Sequence, residues 1–384
     1  MTSETTAPSS VKPSQQEVNV QIMKEDLLEA LKTVSGVIES SHVIQILSFV
    51  RLIGEGSSLK MMTSNSEVQL ESSAPIAGSI ENSFDLAVPC KKLLSITKNL
   101  PDNILMSICY EDNWLTVKTE SSSFQLATLP SSQFPEFNTI EAVSSYSLTE
   151  AELKDLLEKT SFSMAQQDVR FFLNGLLIES SENHIEAVAT DGHRMAFGSL
   201  KVIKNTPIRA IIPRKTIYEL QRLLTESDSV VEMNVSASSI KIKTPQFTLL
   251  SNLIDGNFPN CHQLIPKKNN LLARIGVADL KRALSRVSIL ANEKFKGAKL
   301  SFSNHSLNIL SSNVEHEKAE ETLTIHYEGA PLTIAFNINY IQEVLQIITT
   351  EEVCMALSTA DQCVLITDSN GSDDYQYVIM PLTL

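Results

Sequence analysis

The chain has 384 residues, 42% of them hydrophobic and 20% charged, and a net charge of -14. That length exceeds what one hydrophobic core usually supports, so two or three domains are expected, with the composition of a soluble globular protein. No stretch approaches the ~20 apolar residues of a membrane helix, and so acidic a balance argues against nucleic acid unless the positive charge is concentrated somewhere.

Residues 1–17, rich in Ser, Thr, Pro and Gln, read as a disordered tail without the apolar core of a secretory signal. Apolar spacing then predicts helices over 24–38, 90–100, 149–165, 214–226, 277–291 and 337–349, separated by alternating strands and polar turns. The helices come in pairs, and the pairs repeat. Pro89, Pro213 and Asn337 occupy one helix-start position, where proline is at home because the first turn needs no amide donor. "FPEF" at Phe134 and "FPNC" at Phe258 keep the same spacing, and Leu27, Leu153 and Leu280 fall in register in the other helix of each pair. Three copies of one α+β unit are expected at 18–142, 143–267 and 268–384, each with two helices packed on antiparallel sheets.

"TDGHR" at Thr190, with Asp191, His193 and Arg194, invites a catalytic reading. In register it fills the slot of "TSNSE" at Thr63 and "SNVEH" at Ser312, where Asn, Asp and Gly are turn residues. A turn is therefore the default. Only 12 glycines are present and none forms a phosphate loop; HExxH and GxSxG are missing, and the seven histidines lack metal-ligand spacing. The five cysteines (Cys90, Cys109, Cys261, Cys354 and Cys363) form no CxxC pair, which fits a reducing cytoplasm. No cofactor or metal is expected, and binding or scaffolding outweighs catalysis. A hydrolase using Asp191 and His193 would need a nucleophile that the sequence does not place.

The six predicted helices carry 13 Lys/Arg against 11 Asp/Glu, while the rest of the chain carries 18 against 34. Lys91 and Lys98 share a helix face opposite Leu93; Lys215 and Arg222 lie away from Leu220, and Arg282 and Arg286 away from Leu284. Basic helix faces inside an acidic body suit a protein that surrounds a polyanion through phosphate contacts without base readout. A repeat-built scaffold that binds only proteins, independently of DNA, is the alternative.

The stretches "FSMAQQDVRFFLNGLLIE", "VATDGHRMA", "IIPRK", "LIDGNFPNC", "ILANEKFKGAKL" and "YVIMPLTL" resemble the bacterial DNA polymerase III beta subunit, the sliding-clamp family, along nearly the whole chain. The resemblance implies a homodimeric ring of clamp-type domains encircling duplex DNA without sequence specificity. It implies no enzyme and no membrane partner, but a processivity factor in DNA replication. The ring would tether the DNA polymerase III alpha subunit, the clamp loader delta subunit and other polymerases and repair proteins that carry a clamp-binding motif. It also assigns residues. An apolar partner pocket would use Leu173, Thr190, Gly192, His193, Arg194, Met195, Pro259, Leu264, Val378, Met380, Pro381 and Leu382. The dimer contact would set Ile289 and Leu290 against Phe124 and Leu126 of the other chain. Lys91, Lys98, Lys215, Arg222, Arg282 and Arg286 would face DNA. The chain departs from the family at Gln263, Thr383, Ser41 and Ser121 to Ser123, where basic residues are common; the acidic stretch "NVEHEKAEE" is kept.

Overall fold

A computed structural model describes residues 18–38, 44–135, 137, 142–181, 183–202, 207–370 and 373–383. The predicted tail, Ser41 and Leu384 lie outside the described residues. No helix among the described residues is long and apolar enough to cross a membrane. The chain forms two compact units, one from the segment up to residue 139 with residues 243–250, the other from 140–242 and 251–384.

Among the described residues the α-helices occur as three pairs: α1 (Lys24–Ser35) with α2 (Cys90–Asn99), α3 (Glu150–Thr160) with α4 (Arg214–Leu223), and α5 (Val277–Val287) with α6 (Ile338–Ile347). Pro89, Pro213 and Asn337 stand at the N-caps of α2, α4 and α6, and the Asn337 side chain accepts the Asn339 amide. Leu27, Leu153 and Leu280, the registered positions of the other three helices, are all buried.

Each helix ends earlier than its apolar period suggests, and at α1 and α5 a hydroxyl from a strand takes up a carbonyl of the last turn. The Thr63 hydroxyl donates to the Val34 carbonyl at 2.5 Å, and Ser311 does the same to Val287 at 2.6 Å. After α4 the amide and hydroxyl of Thr225 both bond the Glu150 carboxylate, drawing the chain off the helix axis. Beyond α3 and α5 the chain tightens into the 3-10 turns Ser161–Ser163 and Ser288–Leu290.

In the first unit the strands run in the order Ser123–Ala127, Trp114–Lys118, Leu105–Glu111, Val18–Met23, Val68–Pro89. In the second unit an eight-stranded antiparallel sheet runs Arg209–Pro213, Gly175–Ser181, His184–Thr190, Arg194–Lys201, Tyr375–Ile379, Val364–Asp368, Glu352–Leu357, Leu271–Gly276. A four-stranded sheet, Lys318–Thr324, Ser306–Ser312, Gly297–Ser303, Leu332–Asn337, also lies in this unit.

The strand Tyr375–Ile379 lies in the middle of the eight-stranded sheet and is buried on both faces, which is why the last strand of the chain reads as a nearly continuous apolar run. Its alternation divides two cores. Tyr377 and Ile379 enter the large core around α5 and α6, while Val378 joins a smaller one with Leu173, Met195 and Phe258.

Candidate functional site

The strands His184–Thr190 and Arg194–Lys201 form a ladder closed by the turn at 191–193. Asp191 Oδ1 accepts the amides of His193 at 2.9 Å and Arg194 at 3.1 Å, and Thr190 Oγ1 accepts the Gly192 amide at 3.1 Å. Gly192 has φ +89, and a Cβ there would meet the Arg170 guanidinium at 3.1 Å. Asn65 makes the same kind of turn in the first repeat, accepting the amides of Glu67 at 3.1 Å and Val68 at 2.8 Å, while in the third repeat Asn313 closes a wider turn by accepting the Glu317 amide at 2.9 Å. The repeated slot is thus a turn closed by an Asp or Asn side chain on backbone amides, an Asx turn at Asn65 and Asp191. Asp191 spends one oxygen on backbone amides, and the other accepts Arg194 Nε at 3.1 Å.

This turn forms one lip of a cavity of 620 Å³. Leu173 and Met195 come from the small core, with Val378 from the last strand beside them; Met195 is the ladder partner of Val378. Thr190, Gly192, His193 and Arg194 line it from the turn, Pro259 and Leu264 from the segment after the Phe258 landmark, and Met380 from the chain end. Leu264 and Met380 are 52% and 48% exposed, so the cavity offers apolar surface that the folded chain leaves open to water. Ten of the twelve expected pocket residues are brought together.

Pro381 and Leu382 are not among them. The Met380 amide donates to the His193 carbonyl at 2.9 Å, and the Leu382 amide donates to Ala335 at 2.7 Å, so the chain bends away over the strand Leu332–Asn337. Both residues line an adjoining groove instead. Proline cannot extend the ladder, and the turn it forces redirects everything after it.

Arg194 lines the cavity, but its guanidinium is taken up by its own chain. Besides Asp191 it reaches Glu343 at 2.5 Å and the Phe162 carbonyl at 2.9 Å, and it stacks 4.5 Å from the Tyr340 ring centre. It braces the turn against α6. Arg170 is tied to Asp168 at 2.9 Å, and hydrogen bonds from Arg170 hold the Asp168 carboxyl down at about 2. Beneath the cavity, burial pushes the Cys261 thiol up to about 11, leaving it a packing group.

Arg170, Phe172, Asn257, Gln263, Pro266, Asp361, Gln362 and Cys363 also line the cavity. Residues 361–363 escape a reading of the sequence because they sit in a hairpin loop; only the pairing of Val364 with Ile379 places that loop beside Met380.

Of the expected dimer residues, Ile289 is 77% exposed on the 3-10 turn after α5, and Leu290 is half-buried. Phe124 is half-buried on the outermost strand of the first unit's sheet, whereas Leu126 is 7% exposed and packs into its own sheet. Of those two, Phe124 has surface to offer.

The six basic residues divide by neighbourhood. Lys91 and Lys98 are exposed on α2, and Lys215 is half-buried. Arg222 is bonded to Glu219 at 2.9 Å, Arg282 to Asp279 at 2.5 Å, and Arg286 in two-pronged fashion to Glu321 at 2.5 and 2.9 Å. Charge counting along the helices includes Glu219 and Asp279 without showing that they pair with these bases, and it leaves out Glu321, which comes from another element altogether.

Family models cover the chain in three consecutive pieces: the N-terminal domain of the DNA polymerase III beta subunit at residues 18–138, its central domain at 147–260 and its C-terminal domain at 262–383. The chain belongs to the DNA polymerase III beta subunit family, the beta sliding clamps. It is 38% identical to the beta sliding clamp of Pseudomonas putida, across 94% of this chain and 99% of that one, and 34% identical to that of Escherichia coli K12 over the same shares. A crystal structure of the Pseudomonas aeruginosa DNA polymerase III beta subunit bound to griselimycin superposes with a TM-score of 0.93 at 37% identity, covering 96% of this chain and all of that one.

Proposed function

We propose that two copies of this chain close into a ring around duplex DNA, and that the 620 Å³ cavity holds a short apolar segment of each protein the ring tethers. The DNA polymerase III alpha subunit and the clamp loader delta subunit are the first such partners, in the cytoplasm of the cell. The three domains of the ring-forming arc are 18–142, 143–267 and 268–384. The role is that of a tether without catalysis; Asp191, next to His193 in the chain, is committed to its turn and to Arg194.

One observation carries the ring: the strand Lys318–Thr324 ends its sheet beside the turn that exposes Ile289. An unpaired edge next to exposed apolar surface is a liability unless another chain covers it. The outermost strand Ser123–Ala127, carrying Phe124, is the complementary edge on the second copy. Two such contacts related by a two-fold axis close the assembly without leaving a free end.

DNA contact falls chiefly to Lys91 and Lys98, since Arg222, Arg282 and Arg286 already face acids of their own chain. Contacts to phosphate through mobile lysines allow sliding. Loading onto nicked circular DNA tests the reading: the protein should stay on the circle through gel filtration and be lost once the circle is cut. Equal retention on linear DNA, or none on the circle, refutes it.

A further inference from the structure

The cavity does not end at Met380. It shares Met380 and Asp361 with the adjoining groove of 540 Å³, which Lys299, residues 333–335 and residues 381–383 also line. Asp361 therefore stands at the passage between a largely apolar cavity and a more polar groove, on an exposed hairpin loop.

The other charged groups at the cavity are already matched. Arg170 is paired with Asp168, and Arg194 with Asp191 and Glu343. Asp361 accepts the Thr359 hydroxyl at 2.6 Å and has no ion pair among the described residues. That hydrogen bond, helped by a backbone one, holds its carboxyl below the usual carboxylate range, so it is anionic at neutral pH. A bound segment long enough to leave the cavity toward the groove must pass this charge.

We infer that Asp361 sets the specificity of the pocket, favouring partner segments that carry a Lys or Arg next to their apolar anchor and disfavouring those with Asp or Glu there. The inference rests on the pocket reading above and goes beyond it by naming the chemistry that ranks one partner against another. The attraction is that of an exposed pair, so the preference is modest, about five-fold in affinity, and it weakens with salt. A modest preference suffices to order partners that compete for one site.

Fluorescence anisotropy with the full-length protein decides it, using labelled motif peptides from the alpha subunit of the same organism with Lys or Glu placed at each residue flanking the apolar anchor. At one flanking position the wild-type protein should bind the Lys peptide about five-fold more tightly than the Glu peptide. Asp361→Asn should erase that difference, and Asp361→Lys should invert it. Equal affinities at every position in the wild type, or a preference that persists in Asp361→Asn, overturns the inference and leaves the pocket standing. If no peptide of the set binds the wild type at all, the pocket reading fails and this inference with it.

Discussion

Replacing Ile289 by Ala should split the ring without disturbing the folded chain. The side chain is 77% exposed on a 3-10 turn that follows α5, so the isolated chain gains little from it. Nearly all of the loss therefore falls on association. Removing three carbons at ~0.8 kcal/mol each, scaled to the exposed fraction, gives about 2 kcal/mol per site. A two-chain ring contains the site twice, so the dimer should lose about 4 kcal/mol, which raises Kd by roughly 500-fold to 1,000-fold. Sedimentation velocity over a dilution series from micromolar to nanomolar concentration measures the shift, and thermal melting of the dilute protein checks that the chain itself is unaffected. A change in Kd smaller than about ten-fold, or about 1.4 kcal/mol, would mean that Ile289 is ordinary surface and the ring closes elsewhere.

Deleting residues 380–384 should abolish binding of an alpha-subunit motif peptide while shifting Tm by only a few degrees, because the strand Tyr375–Ile379 and its ladders to both neighbours are spared; unchanged peptide affinity in anisotropy would move the site. Gly192→Ala should cost about 1 to 3 kcal/mol in chemical denaturation, since φ +89 is strained for any residue with a Cβ and Arg170 crowds it; a wild-type midpoint would contradict that geometry. The acids of the strand Lys318–Thr324 are engaged within their own chain, Glu321 by Arg286 and Glu320 by Asn308, and Ser121 to Ser123 bring no cation. Dimer Kd measured by sedimentation should consequently change less than about three-fold between about 0.05 and about 0.5 M NaCl. Burial raises the phenols of Tyr375 and Tyr377 above their ordinary value of 10.0. The unfolded chain releases those protons first, so stability is full below pH ~10 and falls above it, by up to ~1.4 kcal/mol per pH unit for each tyrosine. Tyr375→Phe should flatten that fall in melts run across the alkaline range.

The repeat was legible in the sequence because it rests on local physics. Helix starts at Pro89, Pro213 and Asn337, apolar periods around Leu27, Leu153 and Leu280, and turns closed by the side chains of Asn65, Asp191 and Asn313 are each set by a few neighbouring residues. The turn reading of "TDGHR" came from that register alone. Resemblance to the clamp family added the pocket residues, which no periodicity could assemble, since Leu173 and Val378 meet only when the last strand pairs with Arg194–Lys201. Tertiary structure decided the rest. It turned Pro381 and Leu382 into the adjoining groove, set the hairpin of Asp361 beside Met380, directed the Arg194 guanidinium to Glu343 and Tyr340, and matched three of six basic helix residues with acids. Sequence fixes a residue's charge, but its field depends on neighbours brought from far along the chain, as Glu321 is brought to Arg286.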